Sequence, residues 1–402
     1  MTATDYQLRL LSQTKNMSGN QIIDENISID ANYFEKKNLS INQAITITNS
    51  IPWKKRPYLT QSWGNWIHRM SSYCGRIKPA FAHWLISLYT APNEIILDPF
   101  CGIGTVPLEA NLLGRRSIGV DLNPYAYYIA LAKMDRRPLK EYLNYLDNLK
   151  IDFSNKKNNE VSDWAKLYYN KETLNEILHL VPRLIKDKQF FILGCLLGIS
   201  QGHRKGHLSK PCGNIVPYKP KLDQNNEYRP ATPILKDKVR RICQNGFNLD
   251  PKGAIFLADS RKLPLESNSI DVIISSPPYF NTLDYVTVNR LRMEILGIKE
   301  EERRKLKTDL IQDFENYVNE MDKCILEMRR VLKNGSKCIL ILGDLHKGRT
   351  VINTADEIRK VMENRGFITH GMINDEIPFG ISVQRRNPGI RLDRVLIMTL
   401  KK

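Results

Sequence analysis

The stretch EIILDPFCGIGTVPLEANLLG, residues 94–114, decides how the chain is built. It opens as a short apolar run, passes through a turn carrying Gly102 and Gly104, and continues with apolar residues at helical spacing. That order reads strand, glycine turn, helix. The next stretch, RRSIGVDLNPYAYYIALAK (115–133), reads as a second strand and a second helix. A βαβα rhythm predicts a parallel sheet with helices on its faces.

Upstream, PAFAHWLISLYT has helical apolar spacing at Phe81, Leu85, Ile86 and Tyr89. Residues 1–52 are polar and Asn-rich and read as an arm or small cap. Downstream the rhythm stops. Residues 140–245 hold helical stretches (EYLNYLDNL, ETLNEILHLVPRLI, FFILGCLLGIS) and a Gly/Pro/Lys-rich segment from Gln201 to Pro233. Strand–helix alternation resumes at AIFLADS (254–260) and SIDVIISSPPY (269–279). A helix over 314–332, a strand at KCILILGD, a helix at TADEIRKVMENRG and paired strands around RVLIMTLK follow. The expectation is one α/β domain, 53–139 and 246–402, split by a helical insertion over 140–245.

The composition narrows the class. With 60 Lys and Arg against 43 Asp and Glu, the chain carries +17, which favours a polyanionic partner, most simply nucleic acid. Hydrophobic residues at 42% exclude a wholly disordered chain. No apolar run reaches the ~20 residues needed to span a bilayer, and the N-terminus lacks a signal-peptide core. A cytoplasmic location and no membrane partner are expected. Seven widely spaced cysteines without a CxxC predict free thiols. Cys195, His203, His207 and Cys212 cluster in sequence but match no usual zinc spacing, so no metal is expected.

Three strand ends carry the chemistry. Asp98-Pro99-Phe100-Cys101-Gly102-Ile103-Gly104-Thr105 offers glycines that let backbone approach a ligand and a helix N-terminus with free N–H groups. Asp121 ends the second strand where an acidic residue meets ribose hydroxyls in nucleotide folds. Asp259, with Ser260, follows the third strand, where a carboxylate can accept a bond from an adenine amino group. Ser275-Ser276-Pro277-Pro278-Tyr279 ends a further strand. Its prolines remove donors and stiffen the turn, Ser276 adds an acceptor, and Tyr279 adds a flat face. These parts suit an exocyclic amine on a planar base.

Taken together, these motifs resemble the S-adenosylmethionine-dependent DNA amino-methyltransferases of the SPPY type, the signature most associated with cytosine-N4 methylation. The resemblance covers roughly 53–135 and 254–402. It implies a Rossmann-like methyltransferase fold, mostly parallel with a terminal antiparallel hairpin. S-adenosyl-L-methionine is the implied cofactor. By resemblance, Asp98, Phe100, Gly102, Gly104 and Thr105 form the methionine-side motif, Asp121 and Asn123 the ribose side, and Asp259 and Ser260 the adenine side. His68, Tyr73, Lys78 and Pro79 resemble the N-terminal motif that closes over the cofactor's amino acid part. Ser276, Pro277, Pro278 and Tyr279 resemble the catalytic tetrapeptide. Adenine-N6 enzymes more often carry Asp or Asn where Ser276 stands.

The implied function is methylation of a flipped cytosine in duplex DNA, within a restriction-modification or host-defence setting and with a cognate restriction endonuclease as the further partner. Adenine-N6 methylation, RNA amino-methylation and a non-catalytic binding subunit are the alternatives. In the insertion, the candidate region for target recognition, Arg204, Lys205 and Lys210 are candidate phosphate contacts. So are Arg385, Arg386, Arg391 and Arg394 near the last strands.

Overall fold

The computed structural model describes residues 39–51, 58, 60, 63–157, 160–213, 217–220, 227–244, 252–278, 284–311, 316–347, 350–377 and 391–402. Four parallel strands come first: β1 (Ile95–Asp98), β2 (Arg116–Asp121), β3 (Gly253–Leu257) and β4 (Ile270–Ser275). Together with β5 (Leu332–Gly343), β8 (Phe367–Ile377) and β9 (Arg391–Leu400) they make a seven-stranded sheet in the order β3-β2-β1-β4-β5-β9-β8. β9 runs antiparallel to both β5 and β8. The mostly parallel sheet with a terminal antiparallel pair expected from the sequence is therefore present. A separate small hairpin, β6 (Leu345–Lys347) and β7 (Thr350–Ile352), was not legible.

Each strand is apolar on both sides because the sheet is covered on both faces. Ile96, Val272, Ile274, Ile339 and Ile341 point into one core with helices α1 (Ile41–Ser50) and α2 (Pro79–Tyr89). Their neighbours Leu97, Ile273 and Leu340 point into the other, where α12 (Tyr317–Val331) and α13 (Thr354–Asn364) lie. The part of the N-terminal arm over α1 is thus an integral packed helix. Ser40 and Gln43 close its start as a capping box, and Thr48 Oγ1 meets the Tyr89 hydroxyl at 3.0 Å in the core.

Helices α3 (Thr105–Leu112) and α4 (Pro124–Met134) follow β1 and β2. The insertion adds α5 (Leu139–Asn148), α6 (Asp163–Lys166), α7 (Lys171–Lys186), α8 (Phe190–Ile199) and α9 (Ala231–Ile242). α9 starts before Pro233, since a proline in a first turn gives up an N–H that has no helical partner. The insertion shares one core with α4: Ile129 and Ala132 pack with Ile192, Leu196 and Leu235. Close approach requires glycine here, because a Cβ on Gly198 would fall 1.9 Å from the Met70 carbonyl oxygen. Helices α10 (Tyr285–Ile295) and α11 (Glu300–Asp309) lie between β4 and α12.

A buried carboxylate ties α3 to the segment that precedes β1. Glu109 accepts from His68 Nε2 at 2.6 Å and from His83 Nδ1 at 2.8 Å. Burial opposes its charge, but the two histidine bonds hold its pKa below the ordinary glutamate value. His68, with no exposed surface, is pushed down by burial and stays neutral. Replacing Glu109 with Ala leaves two buried ring donors without an acceptor. Urea denaturation should show a loss of about 3 kcal/mol with little change in slope.

Candidate active-site cleft

The strand order reverses between β1 and β4, so the turns leaving these strands diverge and open a crevice at their carboxyl ends. The ends are fastened together. Ser275 Oγ donates to Asp98 Oδ1 at 2.5 Å, and Phe100 N donates to the same oxygen at 3.1 Å.

The glycine turn is built around Asp121. Its Oδ2 accepts from Gly102 N and its Oδ1 from Asn123 N, both at 2.8 Å. Gly102 and Gly104 have φ of +51° and +71°. Gly104 must also stay bare, since a Cβ there would meet the Ala130 Cβ at 2.9 Å. Asn123 caps α4 through Oδ1, while its buried Nδ2 has no partner among the described residues. Thr105 Oγ1, at the start of α3, is also buried and unsatisfied among them.

These pieces line one open cleft. Thr105 and Pro278 line the same cavity, so the glycine turn and the diproline turn face one space. Asp98, Phe100, Gly102, Asp121, Asn123, Asp259, Ser260 and Ser276 also line it. Lys78, Pro79, Gly104 and Pro277 do not. Lys78 caps α2 with its backbone, Pro79 is its first residue, Gly104 packs on α4, and Pro277 is buried. His68 sits behind the cleft, bound to Glu109, whereas Tyr73 does line it. Tyr279 lies outside the described residues.

Several wall residues were missed in the sequence. Arg76 lines the cleft and donates to the His68 carbonyl at 2.8 Å. Tyr285 stacks on Tyr73 with centroids 6.0 Å apart, and Asp309, Leu310 and Ile311 complete a wall. The start of α10 had a signal in Asp284, which caps it by accepting from Thr287 N at 2.9 Å. The 309–311 wall had none, because its place depends on contacts far away in sequence.

The remaining sequence candidates lie elsewhere. Arg204 and Lys205 are exposed on the loop after α8, and Lys210 is partly buried there. Arg385 and Arg386 lie outside the described residues, as does the side chain of Arg391. Arg394 is a correction. Its guanidinium pairs with Asp344, at 2.9 and 3.1 Å, and with Asn374, so it braces the sheet and is not available to a nucleic acid. Among the described residues no cluster of metal-ligating side chains is found, and none of the seven cysteines is in a disulfide. No described helix is long and apolar enough to cross a membrane.

Residues 33–132 match the DNA methylase family. That match covers about a quarter of the chain. It is 25% identical over 363 residues to the type II methyltransferase M.BsoBI of Geobacillus stearothermophilus, covering 76% of this chain and 65% of that one. It is 31% identical over 127 residues to the type II methyltransferase M.MjaII of Methanocaldococcus jannaschii, covering 32% and 22%. A tRNA (guanine(10)-N2)-dimethyltransferase from the same archaeon is 28% identical over 157 residues, 35% of this chain and 40% of that one. The chain therefore spans less than two thirds of each of these relatives. Among solved structures, TrmN from Thermus thermophilus superposes with a TM-score of 0.36 at 13% identity, covering 83% of this chain and 52% of that one.

The cofactor of the family, S-adenosylmethionine, fits this cleft in charge. In a chain of net charge +17, four aspartates, at 98, 121, 259 and 309, and one arginine, Arg76, line it. Such a lining favours a cation, and the unsatisfied Thr105 hydroxyl and Asn123 amide offer it polar partners.

Burial pushes the Asp98 carboxyl up to about 7, with the Ser275 and Phe100 bonds opposing. Burial likewise lifts Asp121 to about 6 against its backbone N–H partners. A cationic ligand favours the ionised forms and must expel these protons at lower pH. Calorimetry should therefore show cofactor affinity level well above pH 7, falling by up to about tenfold per pH unit between pH 7 and 6 and more steeply below pH 6, where Asp121 is protonated too. Asp98→Asn should bind weakly and lose most of this dependence.

Proposed function

We propose that the chain transfers a methyl group from S-adenosylmethionine to the exocyclic N4 amine of a cytosine rotated out of duplex DNA. The observation that carries this is the shared cleft of Thr105 with Ser276 and Pro278 at the β1/β4 crevice. S-adenosylmethionine, when bound, supplies an electrophilic methyl on a sulfonium. The aspartates at 98, 121 and 259 hold its positive and hydroxylated parts. Ser276 and a carbonyl of the Ser-Pro-Pro turn accept the amine hydrogens, which frees the nitrogen lone pair to point outward. Tyr279 provides the stacking face for the extruded base. Positioning and charge placement then supply the acceleration.

The DNA would approach along a basic strip. Arg204 and Lys205 stand on the loop after α8, and Arg241 Nη2 lies 3.5 Å from where a Gly206 Cβ would be. Lys238 Nζ donates to the Arg69 carbonyl at 2.9 Å, and the Arg69 guanidinium stacks 3.9 Å over Trp66. Among the described residues Arg69, Arg204, Lys205 and Arg241 have no carboxylate partner. The type II relatives support a restriction-modification setting, with a cognate endonuclease as the implied partner.

Mass spectrometry of nucleosides from plasmid DNA co-expressed with the chain should reveal N4-methylcytosine. N6-methyladenine there, or methyl transfer to RNA alone, overturns the assignment. Tyr279→Ala should lose most turnover and keep its cofactor affinity; full activity would remove the stacking role. Arg204→Ala with Lys205→Ala should lower the salt slope of DNA binding by about 1.8, at roughly 0.9 per lost phosphate contact.

A further inference from the structure

Arg261 follows β3 by four residues and reaches two parts of the cleft wall and the helix α12 behind it. It grips Asp259 first: Nε lies 2.9 Å from Oδ1 and 3.0 Å from Oδ2, and Nη2 donates to Oδ2 at 2.6 Å. Its backbone N–H also donates to Oδ1, at 2.8 Å. Nη1 donates to Glu320 Oε2 on α12 at 2.5 Å. Nη2 donates a second bond, at 2.8 Å, to the carbonyl of Asp309, the start of the 309–311 wall. One planar group therefore fixes the turn after β3 relative to α12 and to that wall.

The lone pairs of Asp259 can be counted. An ionised carboxylate has about four acceptor directions. Three hydrogens of Arg261 meet it: the backbone N–H at Oδ1, Nη2–H at Oδ2, and the single Nε–H shared between the two oxygens. Three hydrogens leave about one direction of the carboxylate open. The Asp259 side chain is 35% exposed and lines the cleft, so a ligand can reach it. A fixed charged acceptor with one open direction favours an amino group. It opposes a carbonyl oxygen in the same place, which would set lone pair against lone pair.

We propose that Arg261 is a positioning residue that makes Asp259 a single-direction reader of the adenine amino group, so that the cleft rejects a purine carrying oxygen at that position. This rests on the cleft being the S-adenosylmethionine site. Its test measures the affinity of the full chain for S-adenosylhomocysteine and for the deaminated S-inosylhomocysteine. The wild-type chain should prefer the adenine form by on the order of 30-fold, the range of one charged hydrogen bond. Arg261→Ala should bring the ratio below about threefold. Arg261→Lys keeps a cation without the fork, and should also leave the ratio low.

If Arg261→Ala weakens both ligands equally and keeps the ratio, the arginine only braces the wall and the inference falls. Equal wild-type affinity for both ligands also overturns it, while the cofactor site stands. Wild-type chain that binds neither ligand overturns the cofactor site itself, and the inference with it. Should Arg261→Ala fail to fold, Glu320→Gln loosens the same guanidinium from α12. That variant must narrow the ratio, and an unchanged ratio overturns the proposal.

Discussion

The hydrogen bond from Ser275 to Asp98 joins the ends of two adjacent parallel strands, and the cleft depends on that junction. Both side chains are buried, so water cannot easily replace either partner. The register behind it is set by Ile96 beside Val272 and Leu97 beside Ile273. A slip by one residue would exchange the two faces of β4 and drive Ile273 into the wrong core. The glycine turn and the diproline turn thus start from one fixed point. Their separation is decided by the sheet and not by loop flexibility.

Charge works at two scales. The surface is strongly basic, which favours long-range attraction of a polyanion. The cleft reverses the sign with its four aspartates, a lining that favours a cation and disfavours phosphates. Backbone N–H groups and Arg261 then fix how individual carboxylates point. Asp121 is committed to the glycine turn before any ligand arrives, and Asp259 to Arg261.

Much of this was legible in the sequence because it is local. Asp98, Gly102, Thr105 and Asp121 sit at strand ends that apolar runs and glycines announce, and Ser276 and Pro278 follow a run of the same kind. What stayed hidden depends on distant contacts. Nothing near His68 signals that it faces Glu109 rather than the cleft. Arg394 looks like a surface cation until β9 pairs with β5 and brings Asp344 beside it. Arg261 falls in an ordinary turn sequence, and its partners lie 48 and 59 residues away. α1 was obscured by its polar neighbours, although Ser40 and Gln43 carry the pattern of a capped start.

The glycines of α8 bear on how such a chain can change over time. Gly194 and Gly198 let this helix press directly against Met70 and against Ala132 of α4. The helical region therefore cannot be exchanged for that of a relative like a cartridge. A graft would import side chains into a contact that has no room for a single methyl group. Sequence change in this region should then concentrate in the loops leaving α8 and entering α9, with the helices themselves held fixed.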